Sequence, residues 1–444
     1  MKFIKTATAL LCAVILTVSL TACGSEPGKS AYELAVESGY TGTQDEWLAG
    51  LNGADGADGA DADDYISDLY DKVVAEGYTG SFLDFLNEYS SALGVSANEY
   101  AVSKAMRSSV IIYSRFTTKT YSPFVGYVTK TAYSAGAGVI IADDKSSGDA
   151  YIVTNYHVIY DSSAVSDGGI AEYIGVGLYG MNTQVSASDS AVLESSSLNA
   201  EFIGGSMDND IAVLKISGSD EYKISDCVPA EIADSDDVKL GEQAIAIGNP
   251  EGSGFSATTG TLSVDSEYIT MEGLDGGSVT FSVMRVDTSI NGGNSGGGLY
   301  DSRGRLIGIV NAKTSSVSIE NISYAIPSNA AVGVAENIIR NGTFDSRSLD
   351  VTLSVQDSAA EYDEDSGLVK IVQTVTVASV SPGGVSDGAL MPDDVVQSIT
   401  VKGKTTVVQR LFQVSDAMLY ADAGTPVTLN VMRSGQPVSV TVTV

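Results

Sequence analysis

The chain begins with an apolar run, residues 7–20, that follows Lys2 and Lys5 and is too short to span a bilayer comfortably with its flanks. Next comes a duplicated pattern: Tyr32-Glu-Leu-Ala-Val-Glu-Ser-Gly-Tyr-Thr-Gly42 recurs as Tyr70-Asp-Lys-Val-Val-Ala-Glu-Gly-Tyr-Thr-Gly80, and the register continues with Trp47-Leu48 against Phe85-Leu86. Each copy, about residues 32–51 and 70–89, reads as a short helix, a Gly-Tyr-Thr-Gly turn and a second short helix with an aromatic anchor. Between them, residues 53–61 carry glycine at every third position without proline, an acidic flexible spacer rather than a collagen segment. Further on, the β-branched and aromatic stretch Ala150–Tyr156 and the apolar run Ile211–Leu214 predict strands. Residues 328–342 read as a helix, with Ser328 as N-cap, Gly342 as stop, and Val332, Ala335 and Ile339 as a buried stripe. The last hundred residues return to strand patterns broken by Gly and Pro turns.

A length of 444 residues is enough for two or three domains. Formal charge is −32, and two units more negative once a leader carrying Lys2 and Lys5 is removed. This excludes electrostatic affinity for nucleic acid and for anionic headgroups. The apolar run ends in Leu20-Thr21-Ala22-Cys23, which resembles the lipobox of bacterial lipoproteins. That resemblance implies a signal peptide over residues 1–22 and acyl chains on Cys23, tethering an extracytoplasmic body to the cell membrane. With Cys12 in the leader and Cys23 acylated, only Cys227 remains, so the mature chain has no intramolecular disulfide.

The one histidine, His157, lies in Thr154-Asn155-Tyr156-His157-Val158. Proton transfer near neutral pH favours an imidazole, so the candidate base is unique. Ser295 sits on a glycine-rich turn, Asn291-Gly-Gly-Asn-Ser-Gly-Gly-Gly298, and between the two lies Asp208-Asn-Asp-Ile-Ala-Val-Leu-Lys215. A serine hydroxyl needs an adjacent base, and that base needs a carboxylate to fix its tautomer. Glycines around Ser295 allow the N–H groups of Gly293 and Ser295 to converge on one point, an oxyanion hole. Asp208 and Asp210 would face the same side of an extended chain, so spacing does not choose between them.

These blocks, with Ala135–Ile141, Ala246–Pro250, Thr259–Val264, Leu306–Val310 and Tyr324–Ser328, resemble the HtrA/Deg serine proteases over about residues 105–340. The resemblance maps the triad to His157, Asp210 and Ser295. Gly298 departs from it, since proline or alanine is common there. Val377–Gly384, Gly388–Val396 and Val427–Val440 resemble parts of a PDZ domain, although its carboxylate-binding loop, near Ser348–Leu353, has no glycine and carries Asp350. The implied fold is mainly β: a chymotrypsin-like double six-stranded antiparallel barrel over 105–342 and a PDZ-like domain over 348–444, preceded by a helical-repeat stalk over 23–98. The implied function is cleavage of misfolded or partly unfolded proteins, without metal or cofactor, by an assembly that is often a homotrimer, in an envelope of Gram-positive type. The competing expectation is a non-proteolytic chaperone or peptide-binding scaffold on the same fold.

Overall fold

The computed structural model describes residues 96–444 except 145, 182–196, 218–227, 312–321 and 364–367, and before them only residues 70, 72, 74, 75, 79 and 85. The leader, Cys23, the first repeat, the spacer and Cys227 lie outside the described residues. The chain divides into two units, Met1–Ala97 and Asn98–Val444. In the first, the rings of Tyr70 and Phe85 lie 5.7 Å apart and Phe85 is buried. No helix among the described residues is long and apolar enough to cross a membrane.

Helix α1 (Ala97–Ser108), all but its first residue in the second unit, is followed without a break by β1 (Ser109–Ser122). The strands β2 (Gly126–Asp144), β3 (Asp149–Thr154), β4 (Tyr173–Leu178), β5 (Leu198–Asn199), β6 (Glu201–Ser206) and β7 (Ile211–Ser217) join β1 in one sheet. Its order is β5-β4-β1-β2-β3-β7-β6, antiparallel throughout. Six strands of ordinary length are thus supplemented by the two-residue β5, which pairs with β4. The strands β8 (Gln243–Gly248), β9 (Ser256–Glu272), β10 (Ser278–Val286), β11 (Gly298–Tyr300), β12 (Leu306–Asn311) and β13 (Ser323–Pro327) close into a six-stranded barrel, β10-β13-β12-β11-β8-β9.

Side-chain alternation explains why β3 and β7 read as unbroken apolar runs. Ile152 and Leu214 point into the core of the first sheet with Val110, Ile112 and Val176. Their neighbours Val153 and Val213 point the other way, into a seam shared with Ile245, Ile247, Val283, Leu306 and Ile309 of the barrel. A strand apolar on both faces is buried on both faces.

Helix α2 (Ser328–Asn341) closes the protease-like half and ends, as expected, at Gly342 with φ 74. Ser328 is not the cap: Pro327 holds that position, and the Ser328 hydroxyl donates instead to the Ala233 carbonyl at 2.8 Å. The buried face of α2 takes in residues 328–335 and 337–338, while Ile339 of the expected stripe is only half-buried. Leu419 and Tyr420 from the C-terminal region cover the helix at Gly333.

That sheet holds β14 (Val351–Asp363), β15 (Leu368–Val380), β16 (Val395–Val401), β17 (Lys404–Val407), β18 (Pro426–Arg433) and β19 (Gln436–Thr443), with helix α3 (Leu411–Met418) against it. Its order is β14-β15-β16-β18-β19, β17 pairing with β16, around a core that includes Val377, Ile399, Val414, Leu429 and Val431. This additional β-sheet domain is consistent with a PDZ fold. Tyr420, just past α3, donates from its hydroxyl to the Asn329 carbonyl at 3.0 Å. Its ring and Leu419 pack where a side chain on Gly333 would stand, only 2.9 and 3.1 Å away.

Gly298 has a comparable cause. A Cβ there would lie 2.4 Å from the ring of Tyr300, which is fully buried and hydrogen-bonded through its hydroxyl to Ser109 Oγ at 2.9 Å. The departure from the proline or alanine of the resembled proteins is therefore coupled to a large aromatic two residues on. Gly298→Ala should destabilise the fold by about 1–3 kcal/mol through overpacking. In Tyr300→Leu the same change should cost measurably less, as read by a double-mutant cycle in urea unfolding.

Candidate active site

His157 follows β3 on a single 3-10 turn, Tyr156–Val158, so the strand ends three residues before it. Asp210 immediately precedes β7, the strand paired with β3 (Thr154↔Ala212). Pairing of β3 with β7 thus brings residues 53 apart in sequence into contact. His157 Nδ1 lies 2.7 Å from Asp210 Oδ2, and the His157 backbone N–H donates to Asp210 Oδ1 at 3.0 Å. The Asp210 carbonyl accepts from the Tyr156 N–H at 3.2 Å and from Asn155 Nδ2 at 2.9 Å.

Asp210 is buried and Asp208 is exposed. The expectation that both face one side assumed an extended chain. Residues 207–210 instead form a turn, and Asp210 sits at φ 49, in the left-handed region that Asp tolerates better than most residues. Asp208 makes no hydrogen bond to the imidazole.

Two asparagines complete the carboxylate's surroundings, and sequence reasoning gave neither a role. Asn155 lay inside the quoted histidine block, and Asn311 ends the apolar run Leu306–Val310. Asn311, at the end of β12 in the closed barrel, donates from Nδ2 to Asp210 Oδ2 at 3.0 Å. A polar residue closing a fully apolar strand was the available signal for Asn311.

Ser295 lies on the loop before β11, 5% exposed. Its carbonyl accepts from the Ala137 N–H at 2.9 Å, and the Gly296 N–H donates to Val310 O at 2.9 Å. Gly296, at φ 82, has no room for a Cβ, which would stand 2.2 Å from Thr154 Oγ1 and 2.9 Å from Asn155 N. The serine loop therefore packs directly on the segment that leads into His157. Gly293, at φ 93, is held against Asn249: a Cβ would meet Asn249 O at 2.1 Å, and the Asn249 N–H donates to Gly293 O at 3.2 Å. The Glu251 N–H similarly takes Gly292 O at 2.8 Å.

With those carbonyls engaged, the N–H groups of Gly293 and Ser295 have no acceptor among the described residues, and the Ser295 hydroxyl makes no hydrogen bond there either. The site thus presents a buried carboxylate, an imidazole oriented through Nδ1, a free hydroxyl and two free backbone donors. Among the described residues no group of three or more His, Cys, Asp and Glu is arranged to hold a metal.

Residues 136–309 match the trypsin-like peptidase domain family. The chain is 34% identical over 250 residues to the serine protease Do-like HtrA of Lactococcus lactis subsp. cremoris, covering 55% of this chain and 54% of that protein. It is 31% identical over 317 residues to the serine protease Do-like HtrA of Bacillus subtilis, covering 69% and 62%. The chain thus spans between 54% and 62% of the length of these curated relatives. Among solved structures, the HtrA-type protease AlgW with decapeptide aligns at a TM-score of 0.47 and 26% identity, over 79% of this chain and 98% of that one.

Because His157 is the only histidine, its ring protons can be read in the intact chain without ambiguity. The Nδ1 proton held by Asp210 should give a single strongly downfield proton NMR resonance. Asp210→Asn should abolish or move that resonance and Asp208→Asn should leave it in place. The opposite pattern would reverse the assignment.

Proposed function

We propose that the chain is a serine endopeptidase acting through Ser295, His157 and Asp210, since residues 136–309 match the trypsin-like peptidase domain family and the chain is similar to the HtrA serine proteases. The observation that carries the reading is the 2.7 Å contact between His157 Nδ1 and Asp210 Oδ2. It leaves Nε2 as the nitrogen that takes the proton of the Ser295 hydroxyl as that oxygen attacks a peptide carbonyl. The Gly293 and Ser295 N–H groups then donate to the oxyanion. Donors of this kind are each worth about 10²–10³ in kcat. His157 returns the proton to the leaving amine, and a water molecule releases the acyl group by the same route reversed. The Ser295 hydroxyl makes no hydrogen bond to the imidazole in this structure, and substrate binding commonly completes contacts of this kind.

The C-terminal sheet supports a substrate that is extended or partly unfolded protein. Its edge strand β14 borders a cavity of about 360 Å³ lined by Leu349, Val351, Leu353, Val414 and Met418. A trough of mixed walls, with Ser346, Arg347, Ser348 and Ser415 beside the apolar groups, next to a strand edge suits an added peptide strand. The Asp350 carboxylate, which the sequence placed awkwardly near this site, accepts from the Val385 N–H at 3.0 Å and is engaged there. The reading includes an extracytoplasmic location with Cys23 as lipid anchor, which rests on the lipobox-like Leu20–Cys23 alone.

A fluorophosphonate probe should label the wild-type chain and fail on Ser295→Ala. Casein hydrolysis should fall roughly 10⁴-fold in Asp210→Asn while Asp208→Asn stays near wild type. Ser295→Ala combined with His157→Ala should be little worse than either alone, since the two act as a unit. A folded wild-type chain that neither takes the probe nor cleaves casein would instead favour the binding-scaffold reading.

The anchor is tested separately. Cys23→Ser should shift the protein from the membrane fraction to the soluble fraction or leave the leader uncleaved. Unchanged processing and location would remove the lipoprotein reading and leave the protease reading standing.

A further inference from the structure

A larger cavity, of about 480 Å³, lies where the C-terminal sheet meets α2 and the segment before β8. That volume is in the range of small-molecule sites. Its lining includes the apolar Val332, Val401 and Ala417 together with the acidic Asp234, Asp236 and Asp416 and the basic Lys402 and Lys404. The charged groups around it can be paired off in turn. Asp234 has Lys404 at 3.6 Å and accepts from Asn329 Nδ2 at 2.6 Å. Lys402 is committed to Asp422, and Glu336 to Arg340 at 3.4 Å. Asp236 and Asp416 form no ion pair among the described residues, although Lys404 is near enough to Asp236 to favour its charged form.

Asp236, from the protease-like half, accepts from Gln413 Nε2 at 3.0 Å through Oδ2, while its Oδ1 is buried with no hydrogen-bond partner. Asp416 stands on α3 one turn beyond Gln413 and is 7% exposed, with its Oδ2 likewise buried and unpartnered. A buried carboxyl oxygen with no partner is costly unless something arrives to satisfy it. Burial, with Asp236 alongside, pushes the Asp416 carboxyl up to about 8, so that it holds a proton at neutral pH.

We propose that this interdomain cavity binds an alkylammonium group, with the nitrogen between Asp236 and Asp416 and the methylenes against Val332, Val401 and Ala417. A lysine side chain and a free aliphatic diamine share this chemistry. The apolar wall suits a carbon chain, and among the described residues no metal-holding cluster is present. Since Asp236 and Asp416 belong to different domains, an occupant clamps α3 onto the protease-like half. The proton balance is defined. An ammonium favours ionised Asp416, so binding at pH 7 releases the Asp416 proton to the buffer, and that release fades as the pH rises through about 8.

Isothermal titration calorimetry of the full mature chain tests this, using 1,5-diaminopentane and Nα-acetyl-lysine methylamide at pH 7 in two buffers of different ionisation enthalpy. The expected result is saturable one-site binding with proton release, and no binding of 1,5-pentanediol. Affinity should fall about tenfold or more in Asp416→Asn, and likewise in Ala417→Leu, which fills the cavity without touching a carboxyl group. Binding of the diamine alone identifies a free polyamine as the ligand class, and binding of the capped lysine identifies a peptide side chain. Circular dichroism checks that both variants fold, and Ala417→Leu decides the matter if Asp416→Asn does not. Absence of saturable binding to the wild-type chain, or binding that both variants leave intact, overturns the proposal.

Discussion

Val153 and Val213 on one side, and Ile245, Ile247, Leu306 and Ile309 on the other, form an apolar seam on which the candidate active site depends. His157 and Asp210 hang from the strand pair β3/β7, whereas Ser295 and Asn311 belong to the closed barrel. Neither half carries a complete site. Their separation is set by close-packed side chains with little freedom to adjust, so a methylene added or lost in the seam is felt at the candidate site. Hydrogen bonds across it include the Ala137 N–H to Ser295 O at 2.9 Å, Asn311 Nδ2 to Asp210 Oδ2 at 3.0 Å and Asn249 Nδ2 to Gly136 O at 3.3 Å.

The Asp210 carboxylate shows what that seam makes affordable. Burying an ionised group costs several kcal/mol unless its lone pairs are satisfied. Here the oxygens take three donors: the His157 N–H, the His157 ring and Asn311 Nδ2. The third reaches the carboxylate only because the two halves are packed together. The carboxylate that orients the imidazole therefore doubles as a link between the halves, and separating them would strand it.

Much of this was legible in the sequence, for identifiable reasons. The β3 and β7 runs are apolar on both faces because both are buried, and that pattern survives without tertiary context. Gly342 ends α2 because only a left-handed residue fits there. Three features were not legible. Strand alternation could not rank Asp208 and Asp210, because a turn intervenes; the resemblance supplied the choice that the turn makes physically. Helix α3 spans eight residues and is interrupted in its favourable composition by Val414 and Ser415, so local propensity is a weak guide to it. The acidic cavity is invisible for a deeper reason: Asp236 and Asp416 are 180 positions apart and meet only through domain docking.

That docking draws on a scarce resource. The chain has 24 basic residues against 56 acidic ones, yet several basic ones converge on this one interface. Arg410 reaches Asp265 at 3.0 Å, Arg340 reaches Asp422 at 3.3 Å, and Lys404 approaches Asp234 at 3.6 Å. The last two are partly exposed and contribute roughly 0–1 kcal/mol each, so they orient the domains more than they bind them. Cohesion comes instead from fitted contacts: Tyr420 and Leu419 against Gly333, the Tyr420 hydroxyl on Asn329, and Asn337 Nδ2 on the Ala421 carbonyl at 3.0 Å. In so acidic a chain, cations suffice for the rim of the interface but not for its centre. At that centre Asp236 and Asp416 lie without an ion pair, and burial with Asp236 alongside favours the protonated, neutral form of Asp416.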